Sequence, residues 1–499
     1  MQNTFKNFYQ NIGFDSYPFR DRTAEKENIT KLFIKPLDYS LLEDVLFSNQ
    51  TAVICGNRGT GKTIMLSDLK TKVHVNKLVC FIDNYEAIPL ENNILDFYSL
   101  ILQGITKNLV VHLASNRKIL KKASIDDKIF LSFLIMKYSD SITDDQLYSK
   151  IENVQLNYLQ KLVNKFTLPL TFFLNYGTTA ITNFGNEFLT RYFGAYLPSI
   201  SEGNIRKIFP DIHFAIANEF KSVEISYSLL DKSLQLIKEV MGSIPLVLID
   251  KLDEDIRLEN DAEIIANFVK ELVCDNNLLL NPNIQLFISV WQIPFSYLST
   301  IFRRSKHYVY DIGWNQQQLE IVLNHRLSVY SVNKINDYHS LFDPDVSNDD
   351  IENNFILSNS NPRDLWGIFD AIFNAQYSID SNSKSICKQA VKNGLHYFVE
   401  HFEFYEYYPK KKGARKNTND VYSYINYLLK LKNTDEFTHE ELRQVASTGG
   451  STTNYITGMM NIGLIKKTDN KRAGGAIIYK IKDPKVSYAI FNNIDIVHN

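Results

Sequence analysis

Eight consecutive residues, Gly56-Asn57-Arg58-Gly59-Thr60-Gly61-Lys62-Thr63, fill every fixed position of the pattern G-x-x-x-x-G-K-[ST]. Glycines at this spacing let the chain wrap so that successive backbone N–H groups face a phosphate chain. Lys62 then reaches the outer phosphates and Thr63 offers a hydroxyl to Mg²⁺. A metal held in this way needs a second, acidic partner. The run "LVLIDKLDED" supplies one in Asp250, a carboxylate at the end of an apolar stretch. Asp253 and Glu254 follow within one turn, and either is suited to orienting or deprotonating an attacking water. Lys251 stands directly after Asp250, where many nucleotide hydrolases carry the catalytic glutamate. The chemistry implied is phosphoryl transfer to water from ATP with Mg²⁺.

Those groups meet only if particular elements place them. "TAVIC" before the glycine loop predicts a short buried strand, and "KTIMLSDLKTKV" after it a helix with Met65, Leu66 and Leu69 on one face. The helix start at Lys62 adds the positive end of its dipole to the phosphate site. "KLVCFID" up to Asp83, "IPLVLID" (Ile244 to Asp250) and "NIQLFISV" (Asn283 to Val290) predict further strands, with helices over about 92–113 and 261–273. Near-continuous apolar strands separated by helices predict a parallel sheet covered on both faces. The fold class expected is therefore α/β.

Residues 1–50 read as a lead-in, helical over 18–50, and 51–313 as the core. Within the core, about 114–242 departs from strand–helix alternation and predicts an inserted helical region. It separates Asp250 from Lys62 by roughly 190 residues. Residues 314–408 predict a helical lid. A basic linker with Lys410, Lys411, Lys412, Arg415 and Lys416 opens a last segment, 409–499. There "DVYSYINYLLKL", "THEELRQVA" and "STTNYITGMMNIGLI" predict three helices, the second with a Thr-first cap. "LIKKTDNKRAGGAIIYKIKD" predicts two strands around a glycine tip, and helices followed by a hairpin in this order describe a winged helix. Thr452, Thr453 and Asn454 open its third helix, and Lys466, Lys467, Lys471 and Arg472 gather on the hairpin. The segment carries about twice as many basic as acidic side chains, the local imbalance that DNA binding needs.

The 499-residue chain as a whole offers no such field, with 54 basic against 56 acidic residues. Four dispersed cysteines, Cys55, Cys80, Cys274 and Cys387, predict reduced thiols rather than disulfides or a zinc site. The polar N-terminus lacks the order of a signal peptide, and the oily run from Leu168 is too short to span a bilayer. A cytoplasmic protein without membrane contact is expected.

The arrangement D-x-x-D-E at Asp250, Asp253 and Glu254 resembles that of signalling ATPases of the STAND type. GNRGTGKT, the acidic strand end, "SNSNPRDLW" and the terminal winged helix together resemble the origin-recognition-complex-like branch of AAA+ ATPases. This resemblance implies a γ-phosphate-sensing polar residue at Ser289 or Gln292 and an arginine, Arg303 or Arg304, reaching a neighbouring copy's nucleotide. It further implies a sensor arginine at Arg363, and a stretch around Tyr17, Pro18, Arg20 or Arg22 lying against the adenine. It also implies an ATP-driven DNA-binding switch that assembles with itself or with a partner effector protein, in the manner of relatives found in mobile elements and antiviral defence. The alternative is a STAND-like switch that retains nucleotide and whose insertion and winged helix bind proteins. A P-loop kinase of small molecules leaves the winged helix and Arg363 unused.

Overall fold

The computed structural model describes residues 4–20, 29–73, 77–115, 223–410, 420–472 and 474–497, together with Leu131, Leu134 and Tyr138. Most of the expected insertion, the oily run from Leu168, Arg22 and the linker residues 411–419 lie outside the described residues.

Five strands form one parallel sheet: β1 (Ala52–Gly56), β2 (Val79–Ile82), β3 (Leu246–Ile249), β4 (Gln285–Trp291) and β5 (Tyr308–Asp311), in the order β2-β3-β4-β1-β5. All ladders are parallel, with Ile54 opposite both Ser289 and Tyr310. Side chains alternate between two cores, as the two-residue repeat of a strand requires. Val53, Val247, Ile249 and Ile288 enter one, and Ile54, Leu246, Leu248 and Phe287 the other. The first core is closed by helices Ile94–Ser115, Val223–Met241 and Ala262–Val273. Ile94–Leu113 is, among the described residues, one helix with the length and apolarity of a membrane span. Phe97, Ile101, Ile105 and Leu109 on it are buried in that core.

The second core joins the sheet to the helix Lys62–Lys72 that follows the glycine loop and to Tyr39–Phe47, Gln316–Tyr330, Asn348–Leu357, Pro362–Ile379 and Lys388–Glu400. The last two pack backbone to backbone at Gly394, where a Cβ would lie 2.5 Å from Ile372 Cα. The helix Phe5–Ile12 adds an aromatic cluster to the same lid, with Phe5 and Phe8 against Tyr377 and Phe373. In the lead-in expected to be helical over 18–50, the described residues hold two helices, Ile29–Leu32 and Tyr39–Phe47. Pro36 lies between them, and the residue before a proline is driven out of helical conformation.

The terminal segment has its own core, with Phe404, Tyr408, Ile425, Phe437, Met459 and Val486 buried together. Helices Val421–Leu428, His439–Ala446 and Thr452–Asn461 accompany an antiparallel sheet of β6 (Glu436–Thr438), β7 (Ile465–Lys471) and β8 (Ile477–Ile481), ordered β6-β8-β7. The expected hairpin is β7–β8. The third strand and a closing helix, Pro484–Asn492, are additions. Thr438 both ends β6 and caps the following helix, in a capping box with Glu441.

Candidate functional site

The loop after β1 turns on Gly59 and Gly61, whose φ of +82° and +96° favour glycine strongly. Gly59 also has no room for a side chain: a Cβ there would lie 2.6 Å from Asn361 Oδ1 and 2.8 Å from Arg363 Nε. The loop and the lid helix Pro362–Ile379 therefore approach closely. Asn361, the cap of that helix, donates from Nδ2 to the Arg58 carbonyl at 2.7 Å. Trp314 Nε1 donates to the Thr60 carbonyl at 3.0 Å.

Arg58, Gly59, Thr60, Gly61, Lys62 and Thr63 line a cavity of about 1000 Å³ at the carboxyl end of the sheet, together with Asp250, Glu254 and Arg363. The carboxyl ends of parallel strands are where open α/β sheets bind ligands. Thr63 Oγ1 donates to Asp250 Oδ2 at 2.6 Å, joining residues 187 apart in sequence. Asp250 is 1% exposed, and a buried carboxylate is tolerable only when hydrogen-bonded. Ser289 supplies a donor to its Oδ1, and the Tyr85 hydroxyl fixes the turn by donating to the Asp250 carbonyl at 2.6 Å. A hydroxyl and a carboxylate in this relation fit Mg²⁺, whose preferred ligands are hard oxygens.

Lys62 Nζ donates to the carbonyls of Gly56 and Asn57, both at 3.0 Å. Burial pulls its pKa down, against the Asp253 and Asp250 charges, which push it up. An ammonium buried at this depth gains from an anionic ligand.

Both candidate bases line the cavity and differ in their partners. Arg58 Nε donates to Asp253 Oδ2 at 2.7 Å and Arg58 Nη2 to the Asp253 carbonyl at 2.9 Å. Arg58 Nη1 donates to Asn260 Oδ1 at 2.6 Å, and the guanidinium stacks 4.0 Å from the Trp291 ring centre. Asp253 is thus committed to the arginine. Glu254, exposed on the same cavity, has its pKa raised by partial desolvation and then by the Asp253 charge. Three non-glycine residues in this connection, Lys251, Glu259 and Asn260, have φ between 51° and 59°. Backbone strain of this kind, on the order of 1–3 kcal/mol per residue, clusters at functional sites.

The other expected positions differ in where they lie relative to the cavity. Ser289 is enclosed behind Asp250 and orients that carboxylate instead of facing the cavity, while Gln292 begins a short helix and is exposed. Arg303 and Arg304 stand away from this chain's own cavity, beside β5, where Arg304 pairs with Asp311. Tyr17 and Pro18 face the lid: the Tyr17 hydroxyl donates to Asp370 at 2.7 Å and Arg326 donates to the Pro18 carbonyl. Arg20 is exposed. From the same lead-in, Leu32, Phe33 and Ile34 line the cavity. Arg363 does reach the cavity and pairs with Glu406 at 3.2 Å.

In the terminal segment Thr452 is buried and bonded to Thr448 and the Gly449 carbonyl, so it cannot touch a groove. Thr453, Asn454, Lys466, Lys467 and Lys471 are exposed. Arg472 is exposed too but pairs with Glu441 at 2.7 Å. Residues that the motif did not signal include Tyr85, Asn260 and Tyr407, each reaching the loop or Asp250 from a distant part of the chain. Asn361 had a signal, an asparagine cap followed by proline at the first helical position. Compared with known proteins, the chain matches no family model and no curated relative.

Proposed function

We propose that this chain is an AAA+ type switch that binds ATP with Mg²⁺ and hydrolyses it, and that its terminal winged helix contacts DNA. One observation carries the reading: Lys62, Thr63, Asp250, Glu254 and Arg363, drawn from separate parts of the chain, converge on one cavity between sheet and lid. In this reading Thr63 and Asp250 hold Mg²⁺, and Lys62 and Arg363 hold the outer phosphates. Glu254 activates water, and Arg58 is anchored beside it by Asp253. Arg303, exposed and without an ion-pair partner among the described residues, is the residue suited to a neighbouring copy's site, with Arg304 tied to Asp311. Assembly with itself or with a partner effector protein belongs to the same reading.

The test is ATP binding and turnover by the wild-type chain and by Lys62→Ala, each with and without DNA. Tight binding and turnover in the wild type, abolished in the variant, support the reading; a wild type that neither binds nor turns over ATP overturns it. Exchange of Lys466, Lys467 and Lys471 for Ala should weaken DNA binding and flatten its dependence on log salt by about 0.9 for each phosphate no longer neutralised. An unchanged slope removes DNA from the reading and favours the STAND-like alternative, in which this segment binds protein.

A further inference from the structure

The segment Phe404–Lys410, which leads into the terminal unit, is tied to the nucleotide cavity at three places. Glu406 pairs with Arg363 at 3.2 Å. The Tyr407 hydroxyl accepts from Asn57 Nδ2 in the glycine loop and from Asn359 Nδ2 just before the lid helix, both at 3.1 Å. Asn260 accepts from Arg58 at 2.6 Å and donates through Nδ2 to the Tyr405 carbonyl at 2.8 Å and the Tyr408 carbonyl at 3.3 Å. Its own carbonyl accepts from the Lys410 amide at 2.8 Å.

These ties differ in kind from the ion pair that fixes the terminal unit to the lid. Lys485 and Asp364 meet at 2.9 Å and are 0% and 7% exposed, out of reach of any ligand. Glu406, in contrast, is 60% exposed and faces a guanidinium at the cavity mouth. An exposed carboxylate is a weak partner for arginine, and a phosphate group, with bidentate geometry and greater charge, is a stronger one.

We propose that the corner Glu406–Tyr407, between the fixed core residues Phe404 and Tyr408, is an autoinhibitory strap. Glu406 occupies Arg363, Tyr407 holds the glycine loop to the lid, and the outer phosphates of a nucleoside triphosphate displace Glu406 and release the strap. The inference rests on the nucleotide reading above and adds to it a means by which the terminal unit senses the ligand. It makes a prediction of unusual sign, because removing a competitor tightens binding whereas removing a structural tie loosens it.

The experiment uses the full chain, ATPγS and ADP with Mg²⁺, and the variants Glu406→Gln and Tyr407→Phe. Glu406→Gln should bind ATPγS about two- to fivefold more tightly, the range open to an exposed pair, with a smaller change for ADP; Tyr407→Phe should shift in the same direction. In the wild type, the Lys410 amide should exchange with solvent slowly without nucleotide and faster with ATPγS, because its bond to Asn260 adjoins the strap. Unchanged or weaker ATPγS binding in both variants, or Lys410 protection unaltered by ATPγS, overturns the strap while leaving the nucleotide reading intact. No ATPγS binding by the wild type overturns both.

Discussion

Glu254→Gln should lower ATP turnover by about 10²–10⁴-fold, the range for loss of a general base, and leave ATP binding nearly unchanged. The isostere keeps the volume and one acceptor but cannot take a proton from water. Asp253→Asn should act differently: Asp253 meets Arg58 at 2.7 Å, so its loss removes the charge from one of the guanidinium's several holds and loosens the loop rather than removing the base. Turnover and affinity should then both fall, by less than for Glu254→Gln in turnover.

The pH profile gives the same assignment independently. A base works only when deprotonated, and partial desolvation with the neighbouring Asp253 charge raises the Glu254 pKa above that of an ordinary glutamate. Turnover should therefore climb with pH through that raised value, with the acid limb on the high side of the usual carboxylate range. Lys251 opposes the rise, so Lys251→Ala should move the limb further up. A limb that persists unaltered in Glu254→Gln would assign it to another group.

Much of this site was legible in the sequence because its chemistry has fixed spacing. The eight loop residues and an aspartate ending an apolar strand are local patterns, and both lie where the pattern put them. What was not legible depends on contacts across long separations. Asp253 and Glu254 are adjacent and chemically alike. Both line the cavity, and only the left-handed turn at Lys251 (φ +59°) and the arrival of Arg58, 195 residues earlier, tie Asp253 to an arginine and leave Glu254 without that tie. Ser289 sits on a strand whose seven residues are all buried, so its hydroxyl had to find a partner inside, and Asp250 was the one within reach. Thr452 opens a helix of polar residues, but its position on the inward face sets its fate. "YYPKKK" reads as the start of a basic linker, and nothing in its own spacing reveals that Tyr407 reaches Asn57, 350 residues away. The closing helix did carry a signal, Asp483 followed by Pro484.

That closing helix bears the second large effect. Lys485 is fully buried against Asp364, with Asp483 beside it and the Phe402 ring 4.3 Å from its ammonium. Burial alone would lower its pKa, but the two carboxylates outweigh that and raise it, keeping the ammonium charged. Lys485→Met keeps the stem and removes the charge, stranding the Asp364 carboxylate. Breaking one side of a buried pair costs about 3–5 kcal/mol, which for a unit of under about 100 residues lowers the melting temperature by roughly 10–40 °C. Replacing both partners, Lys485→Met with Asp364→Leu, should recover most of the loss, since an apolar pair of similar volume carries no stranded charge. Asp483 is a cap whose carboxylate also accepts from the Tyr408 hydroxyl at 2.9 Å, so it has other partners and does not alter that comparison. Thermal unfolding of the single and double variants measures the difference directly. Equal losses in the two would mean that the volume at this junction, and not the charge pair, joins the terminal unit to the lid. Recovery in the double variant would identify the pair as the fixed joint about which a releasable strap can work.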